Sequence, residues 1–136
     1  MSRYIREVLP EDRPAAAAEA MAWGYPRPIE EDEAERSAWV RYGDDVLVWF
    51  DTGPEPDALA VHGCAAEEAR GALGSPRAMI AMEVVAELLG ASRLYSVTGL
   101  VGQETRVPRK AMRRYLRMRG WQECEFGNFR DLGAAR

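Results

Sequence analysis

Residues 58–77 read ALAVHGCAAEEARGALGSPR, and they hold the densest set of chemically capable groups in this 136-residue chain. His62 and Cys64 stand two apart in an apolar run. A strand over Ala58–Ala65 therefore puts both side chains on one face. An imidazole titrating near neutral pH can take a proton from an ammonium group; a packed strand histidine with one satisfied nitrogen is the alternative, and the one weighed above it. Cys64, among apolar neighbours, reads as a small buried hydrophobe rather than a nucleophile. Downstream, a turn with Gly71 and Gly74 lets the backbone approach a ligand closely. The helix after it, with Ser75 as N-cap and Pro76 as first residue, points N–H groups at that ligand. Such a turn suits a phosphate or pyrophosphate. It has neither the Gly-Lys-Ser/Thr of a P-loop nor a GxGxxG, and taken alone it reads as an ordinary strand–helix connection. Glu67 and Glu68 read as solvated loop charges.

The elements that position these groups follow from pattern. A first strand is expected over 3–9, a helix over Pro10–Trp23 stopped by GYPRP, and a short helix or loop over the acidic residues 30–36. A hairpin follows, with strands Ser37–Tyr42 and Val46–Asp51 around Gly43-Asp44-Asp45. After the strand Ala58–Ala65, apolar residues keep a helical period from Pro76 to Gly90. A strand over Arg93–Thr98, a helix over Val107–Arg119 ended by Gly120, and one or two strands within Trp121–Leu132 complete the chain. Three adjacent strands followed by strand–helix alternation predict an α/β (α+β) fold with a mixed, mostly antiparallel central sheet and helices on both faces.

Composition bounds the function. With 47% hydrophobic, 29% charged and 9% aromatic residues, the chain is expected to be a single domain spanning 1–136. No apolar run approaches the roughly 20 residues that cross a bilayer, and the first residues have no secretory pattern, so a cytoplasmic location is expected. Two cysteines, Cys64 and Cys124, exclude a disulfide-built scaffold and a four-cysteine zinc site. A net charge of −4 argues against nucleic-acid binding through the whole surface. The charge is uneven: residues 30–35 hold five acids, and residues 106–119 hold seven bases and no acid.

The strand–turn–helix–strand at 58–98, followed by a helix ending RRYLRMRGWQECEFGNF, resembles the GCN5-related N-acetyltransferase (GNAT) superfamily over nearly the whole chain. In that family a turn of the form Gln/Arg-x-x-Gly-x-Gly/Ala holds the pyrophosphate of acetyl-CoA on its backbone amides. The matching residues are Ala69, Arg70, Gly71, Ala72, Leu73 and Gly74. Gly74 fits the pattern, Ala72 stands where glycine is usual, Ala69 replaces Gln or Arg, and Pro76 removes one amide. The resemblance implies a pyrophosphate on the amides of residues 70–75, Ser75 included, and a pantetheine arm beside Cys64 and Ala65. The family's closing signature, Tyr-x-x-x-Gly-Phe, is kept as Gly120-Trp121. Tyr115, however, lies five residues before Gly120 rather than four, and Leu116 takes the family's tyrosine position. One residue is about 100° around a helix, so a strict register turns Tyr115, the candidate acid, away from a leaving thiolate. His62 is the candidate base. Trp23 and Tyr25 fall in the loop that borders the acceptor site in such proteins.

What the resemblance implies is an acetyl-CoA-dependent N-acetyltransferase, passing an acetyl group to a small-molecule or protein amine by direct attack. The alternative is a GNAT-fold protein that has lost catalysis and serves as a structural or interaction module, as occurs among small phage-encoded GNAT-like proteins. The basic helix has three readings: a solvated face paired with the acidic 30–35 segment, a site for an anion such as RNA or the 3′-phosphate of CoA, or a homodimer interface. A nucleic-acid module ranks third among the functions, and no membrane partner is expected.

Overall fold

The computed structural model describes residues 4–97 and 109–133. Strands β1 (Ile5–Glu7), β2 (Ala38–Tyr42), β3 (Val46–Thr52), β4 (Ala58–Ala65), β5 (Arg93–Val97), β6 (Gln122–Cys124) and β7 (Gly127–Asp131) form one sheet in the order β1-β2-β3-β4-β5-β7-β6. All neighbours are antiparallel except β4 and β5. The helices are α1 (Arg13–Ala22), α2 (Glu31–Arg36), α3 (Arg70–Leu73), α4 (Pro76–Leu88) and α5 (Arg109–Met118). Thr98 and residues 106–108 of the expected strand and basic helix lie outside the described residues, as does Arg3.

Pleating divides the core in two. One face carries Val46, Val48, Phe50, Ala65 and Leu94, packed with Ala78, Met82 and Ala86 of α4 and Leu116 of α5. The other carries Trp39, Leu47, Trp49 and Cys64, packed with Ala16, Ala17 and Ala20 of α1 and Ala34 of α2. β3 is buried along its whole length but for Thr52, as a central strand covered on both sides should be. The alanines let α1 approach the indoles closely, and Trp39 and Trp49 stack at 4.4 Å.

Local chemistry sets the element ends. Ser75 caps α4 by accepting the Ala78 N–H, with Pro76 in the first turn. Gly90 and Gly120, at φ +89° and +94°, end α4 and α5 in Schellman closures. In the second, Gly120 N–H bonds Arg117 O and Trp121 N–H bonds Leu116 O. Trp121 then packs in the core that holds Leu116, which is the physical reason for a glycine–aromatic step after this helix. Two expectations change. The helix expected from Pro10 begins as a 3₁₀ turn over Pro10–Asp12 and becomes α-helical at Arg13, because Pro14 has no N–H to return to Pro10. The acidic 30–36 segment is the short helix α2, on the face opposite α5. Among the described residues it makes no ion pair with the basic helix; its partners are Arg27 and Asp51.

Candidate functional site

β4 and β5 pair over three residues only, Ala58–Ala60 with Arg93–Tyr95. Beyond them the strands part, and among the described residues Val61–Ala65 have no β5 partner. β4 stays fully paired to β3 there, from Trp49↔His62 to Val46↔Ala65. The parting opens onto a cavity of about 480 Å³ whose walls include Val61, Gly63, Leu73, Met79, Ser96 and Tyr115, with Arg70 at its edge. A narrow chain with amides along it can bond the free edge of a strand in place of a neighbour. A mostly apolar cavity floor suits the alkyl part of such a chain.

The turn after β4 differs from an open loop. Glu67–Ala69 form a 3₁₀ turn and Arg70–Leu73 a single α-helical turn. Alanine, arginine and leucine favour helix, and Leu73 is anchored over Gly63: a Cβ built on Gly63 would lie 2.8 Å from Leu73 Cδ1. Gly71 and Gly74 have no heavy atom within 4 Å of a built Cβ and negative φ, so neither glycine is demanded by the fold itself. The Ser75 hydroxyl donates to Ala72 O at 2.8 Å and accepts from Ala78 N–H at 3.2 Å. Met79 N–H goes to Ser75 O, and Pro76 has no N–H. Of the first four α4 amides, Arg77's is the one left to face the turn. The expected cradle of amides over 70–75 is thus reduced, and the guanidinium groups of Arg70 and Arg77, both exposed, are the cations beside it.

Tyr115 does reach the cavity. Its hydroxyl donates to Gly74 O at 2.5 Å, while Leu116 turns into the core. The one-residue shift along α5 therefore places the ring in the cavity wall rather than away from it, and ties α5 to the α3–α4 junction. Tyr115→Phe, which removes that tie, is expected to weaken binding of a ligand in this cavity by about three- to tenfold, the range one neutral hydrogen bond spans. Calorimetric titration of the two proteins with CoA checks this; an unchanged affinity would show that the tie is irrelevant to the site.

His62 borders the cavity but sends its ring to the other face of β4, with Cys64. There it lies 5.7 Å from the Trp49 ring, and its Nδ1 shares a 3.2 Å hydrogen bond with the Tyr25 hydroxyl. Tyr25 packs edge-on against Trp49 at 4.8 Å. Cys64 Sγ donates to Ala20 O at 3.4 Å, inside the α1 core, so the thiol is a packing group, as expected, and only its backbone edge faces the parted strands.

A cluster that the sequence did not single out surrounds His62. Glu33 accepts two hydrogen bonds from Arg27, at 2.7 and 2.9 Å, and one from Trp49 Nε1 at 2.8 Å. Asp51 accepts two from Arg36, at 2.7 and 2.8 Å. The Glu33, Asp51 and His62 ligand atoms lie within 4.8 Å of one another, but the two guanidinium groups already meet both carboxylates, so the donor set is a compensated ion-pair network rather than a cation site. Burial pushes Glu33 and Asp51 upward, but the hydrogen bonds from Arg27 and Trp49 to one and from Arg36 and Thr52 N–H to the other outweigh it, and both are held below the ordinary carboxylate value. Burial, with Arg27 nearby, pushes His62 down to about 4 against the pull of Glu33 and Asp51. Burial raises Tyr25 to about 12. At neutral pH the site thus holds a neutral imidazole and a neutral phenol between two paired carboxylates.

The lowered His62 value has a consequence for stability. Between pH 6.5 and about 4 the unfolded chain binds a proton at this position that the folded chain refuses, so stability falls as the solution is acidified through that window. Urea unfolding as a function of pH is expected to show this loss, and His62→Phe to flatten it. Glu33 and Asp51 lose their contributions as the pH falls from the ordinary carboxylate value downward. An unchanged slope in His62→Phe would contradict the buried neutral state.

No protein-family model and no curated protein matches the chain. Solved structures do. A GNAT-family acetyltransferase from Streptococcus pneumoniae superposes with a TM-score of 0.61 at 12% identity, covering 97% of this chain and 100% of that one. A ribosomal-protein-alanine N-acetyltransferase from Brucella melitensis superposes at 0.59 and 16% identity, covering 95% and 99%. N-acetylglutamate synthase from Neisseria gonorrhoeae, solved with coenzyme A and L-arginine, superposes at 0.61 and 16% identity, covering 97% of this chain and 34% of that one. With the seven-stranded order and the one parallel pair found among the described residues, and the parting of that pair beside the α3–α4 turn, the chain has the fold of the GCN5-related N-acetyltransferases.

Proposed function

We propose that this chain is an acetyl-CoA-dependent N-acetyltransferase acting on an amine by direct attack. The observation that carries the reading is the parting of β4 from β5 over an apolar cavity with Arg70 at its edge. The residues fit CoA at the pantetheine end, where a free strand edge and an apolar floor lie side by side. At the phosphate end the amides that Ser75 and Pro76 remove are replaced by the guanidinium groups of Arg70 and Arg77. When bound, acetyl-CoA supplies an acetyl group activated as a thioester.

The chain's own part is to bind and orient that group. In the transfer the N–C bond would form as the C–S bond breaks, the proton on nitrogen would leave through a water, and the thiolate would take one up from solvent. His62, expected as the base, does not fit that role: its ring lies on the far face of β4, its Nδ1 is engaged by the Tyr25 hydroxyl, and burial holds it at about 4, well below neutral pH. Tyr115 serves as a positioning residue in this account, since its proton is engaged by Gly74 O. Fold alone does not specify this chemistry.

The experiment is thiol release from acetyl-CoA in the presence of a panel of amines, small molecules and peptide N-termini. His62→Gln is expected to change kcat by less than about tenfold with CoA affinity retained; a loss of about 10²- to 10⁴-fold, the range of a general base, would return the proton-accepting role to this ring. Tight CoA binding without thiol release from any amine would favour a non-catalytic GNAT-fold module instead.

A further inference from the structure

Lys110, Arg114 and Arg117 stand in a single row along α5, all three exposed. Helix geometry sets them within about 60° of one another and spreads them over about 10 Å. The opposite side of the helix holds Leu116 in the core, with Met112 and Tyr115 packed beside it. Among the described residues no acid pairs with any of the three cations; Glu123 and Glu125, in the hairpin beyond Gly120, are exposed and leave them free. A second group of acids lies across the sheet. Glu30, Glu31, Asp32 and Glu35 are exposed on and beside α2, whose Ala34 packs in the other half of the core. The molecule is therefore electrically two-sided, and the net charge of −4 conceals a basic face.

We propose that this row is a docking surface for the phosphate backbone of a nucleic-acid duplex, held without reading its sequence. What the row lacks selects that occupant. A protein partner needs an apolar centre with large anchoring side chains, and α5 exposes one large apolar side chain, Met118. A membrane takes the apolar face of an amphipathic helix, and α5 turns that face into the core. A single strand stacks its bases on aromatic rings. The aromatic residue of α5 is Tyr115, which lies in the cavity wall with its hydroxyl on Gly74 O. A duplex backbone asks only for cations along a ridge. Two of the three are arginines, whose planar fork takes two phosphate oxygens at once. The acids across the sheet repel the same polyanion, so the field of the whole molecule turns the row towards it. None of this depends on the proposed acetyl transfer.

The test is fluorescence anisotropy of a short, mixed-sequence DNA duplex titrated with the full chain over a series of salt concentrations. Binding is expected with a dissociation constant of about 10⁻⁴ to 10⁻⁶ M at physiological salt. The logarithm of the association constant is expected to fall against log salt with a slope of about −2 to −3, one phosphate per cation. Arg114→Gln/Arg117→Gln is expected to weaken binding by at least about tenfold at low salt and to leave a slope of about −1. Its unfolding midpoint is expected to stay unchanged, because both side chains are exposed. Arg114→Lys/Arg117→Lys is expected to keep the wild-type slope. No binding at low salt, a flat salt dependence, or an unchanged slope in the glutamine variant would overturn the proposal. So would polyglutamate, phosphatidylglycerol vesicles or the single strand binding as tightly as the duplex. Displacement of the duplex by saturating CoA would also overturn it, by assigning these cations to the phosphates of that smaller ligand.

Discussion

Glu33→Ala is expected to destabilise the fold by about 3 kcal/mol, the low end of what breaking a buried ion pair costs. The low end applies because the Arg27 side chain keeps 21% of its exposure while Glu33 keeps 7%. The substitution leaves a guanidinium without its carboxylate and removes the acceptor of Trp49 Nε1, whose indole is fully buried. An orphaned buried donor adds its own desolvation cost. The stack of Trp39 on Trp49 and the edge of Tyr25 on Trp49 depend on that indole staying in place, so the effect extends to His62. Glu33→Gln, which keeps an acceptor for Trp49 but loses the charge, is expected to cost about half as much. Urea unfolding followed by tryptophan fluorescence measures both. A loss below 1 kcal/mol for Glu33→Ala would mean that the network behaves as a solvated surface pair.

Gly63→Val is expected to weaken CoA binding by about 10- to 100-fold, the span of 1–3 kcal/mol that overpacking a filled site costs. A Cβ at this position meets Leu73 Cδ1 at 2.8 Å and Leu47 O at 3.6 Å. The backbone of β3 cannot give way, so Leu73 moves, and the open space beside it is the cavity. The variant thus fills the cavity twice, with its own methyls and with the displaced leucine. Gly71→Ala is the contrast. Its built Cβ meets nothing within 4 Å, and in the helical turn alanine is preferred to glycine by up to about 1 kcal/mol, so its unfolding midpoint is expected to rise. Equal CoA affinities for wild type and Gly63→Val would place the ligand elsewhere.

Much of the fold was legible because it is written in local chemistry. The β2–β3 hairpin, the strand over Ala58–Ala65, the Ser75 cap with Pro76 and the two terminal glycines are each readable from a few adjacent residues, and the structure has all of them. The mixed sheet with helices on both faces followed from their order. The Glu33 cluster was not legible, because Arg27, Glu33, Asp51 and His62 meet only through tertiary packing. Within the acidic run 30–35 nothing marks Glu33 apart from its neighbours. One signal existed: the hairpin register pairs Trp49 with His62, and the alternation of β3 then sets Asp51 on the same face. Residues 70–74 were expected as a glycine-containing turn open to a ligand, whereas Leu73 packing on Gly63 favours a helical turn over Arg70–Leu73. Tyr115 shows how an angular argument depends on its origin. The face of α5 is set by Leu116 and Trp121 closing the helix against the core, and from that origin the neighbouring tyrosine points into the cavity.

The most direct test of the account is a calorimetric titration of the folded protein with acetyl-CoA, repeated on Gly63→Val and on Arg70→Glu. The account expects saturable binding at one site per chain, weakened at least tenfold by each substitution, with a matching upward shift of the unfolding midpoint in the wild type. A well-folded wild-type sample that shows neither heat nor a midpoint shift at millimolar acetyl-CoA would contradict the proposal that the parted strands hold this ligand.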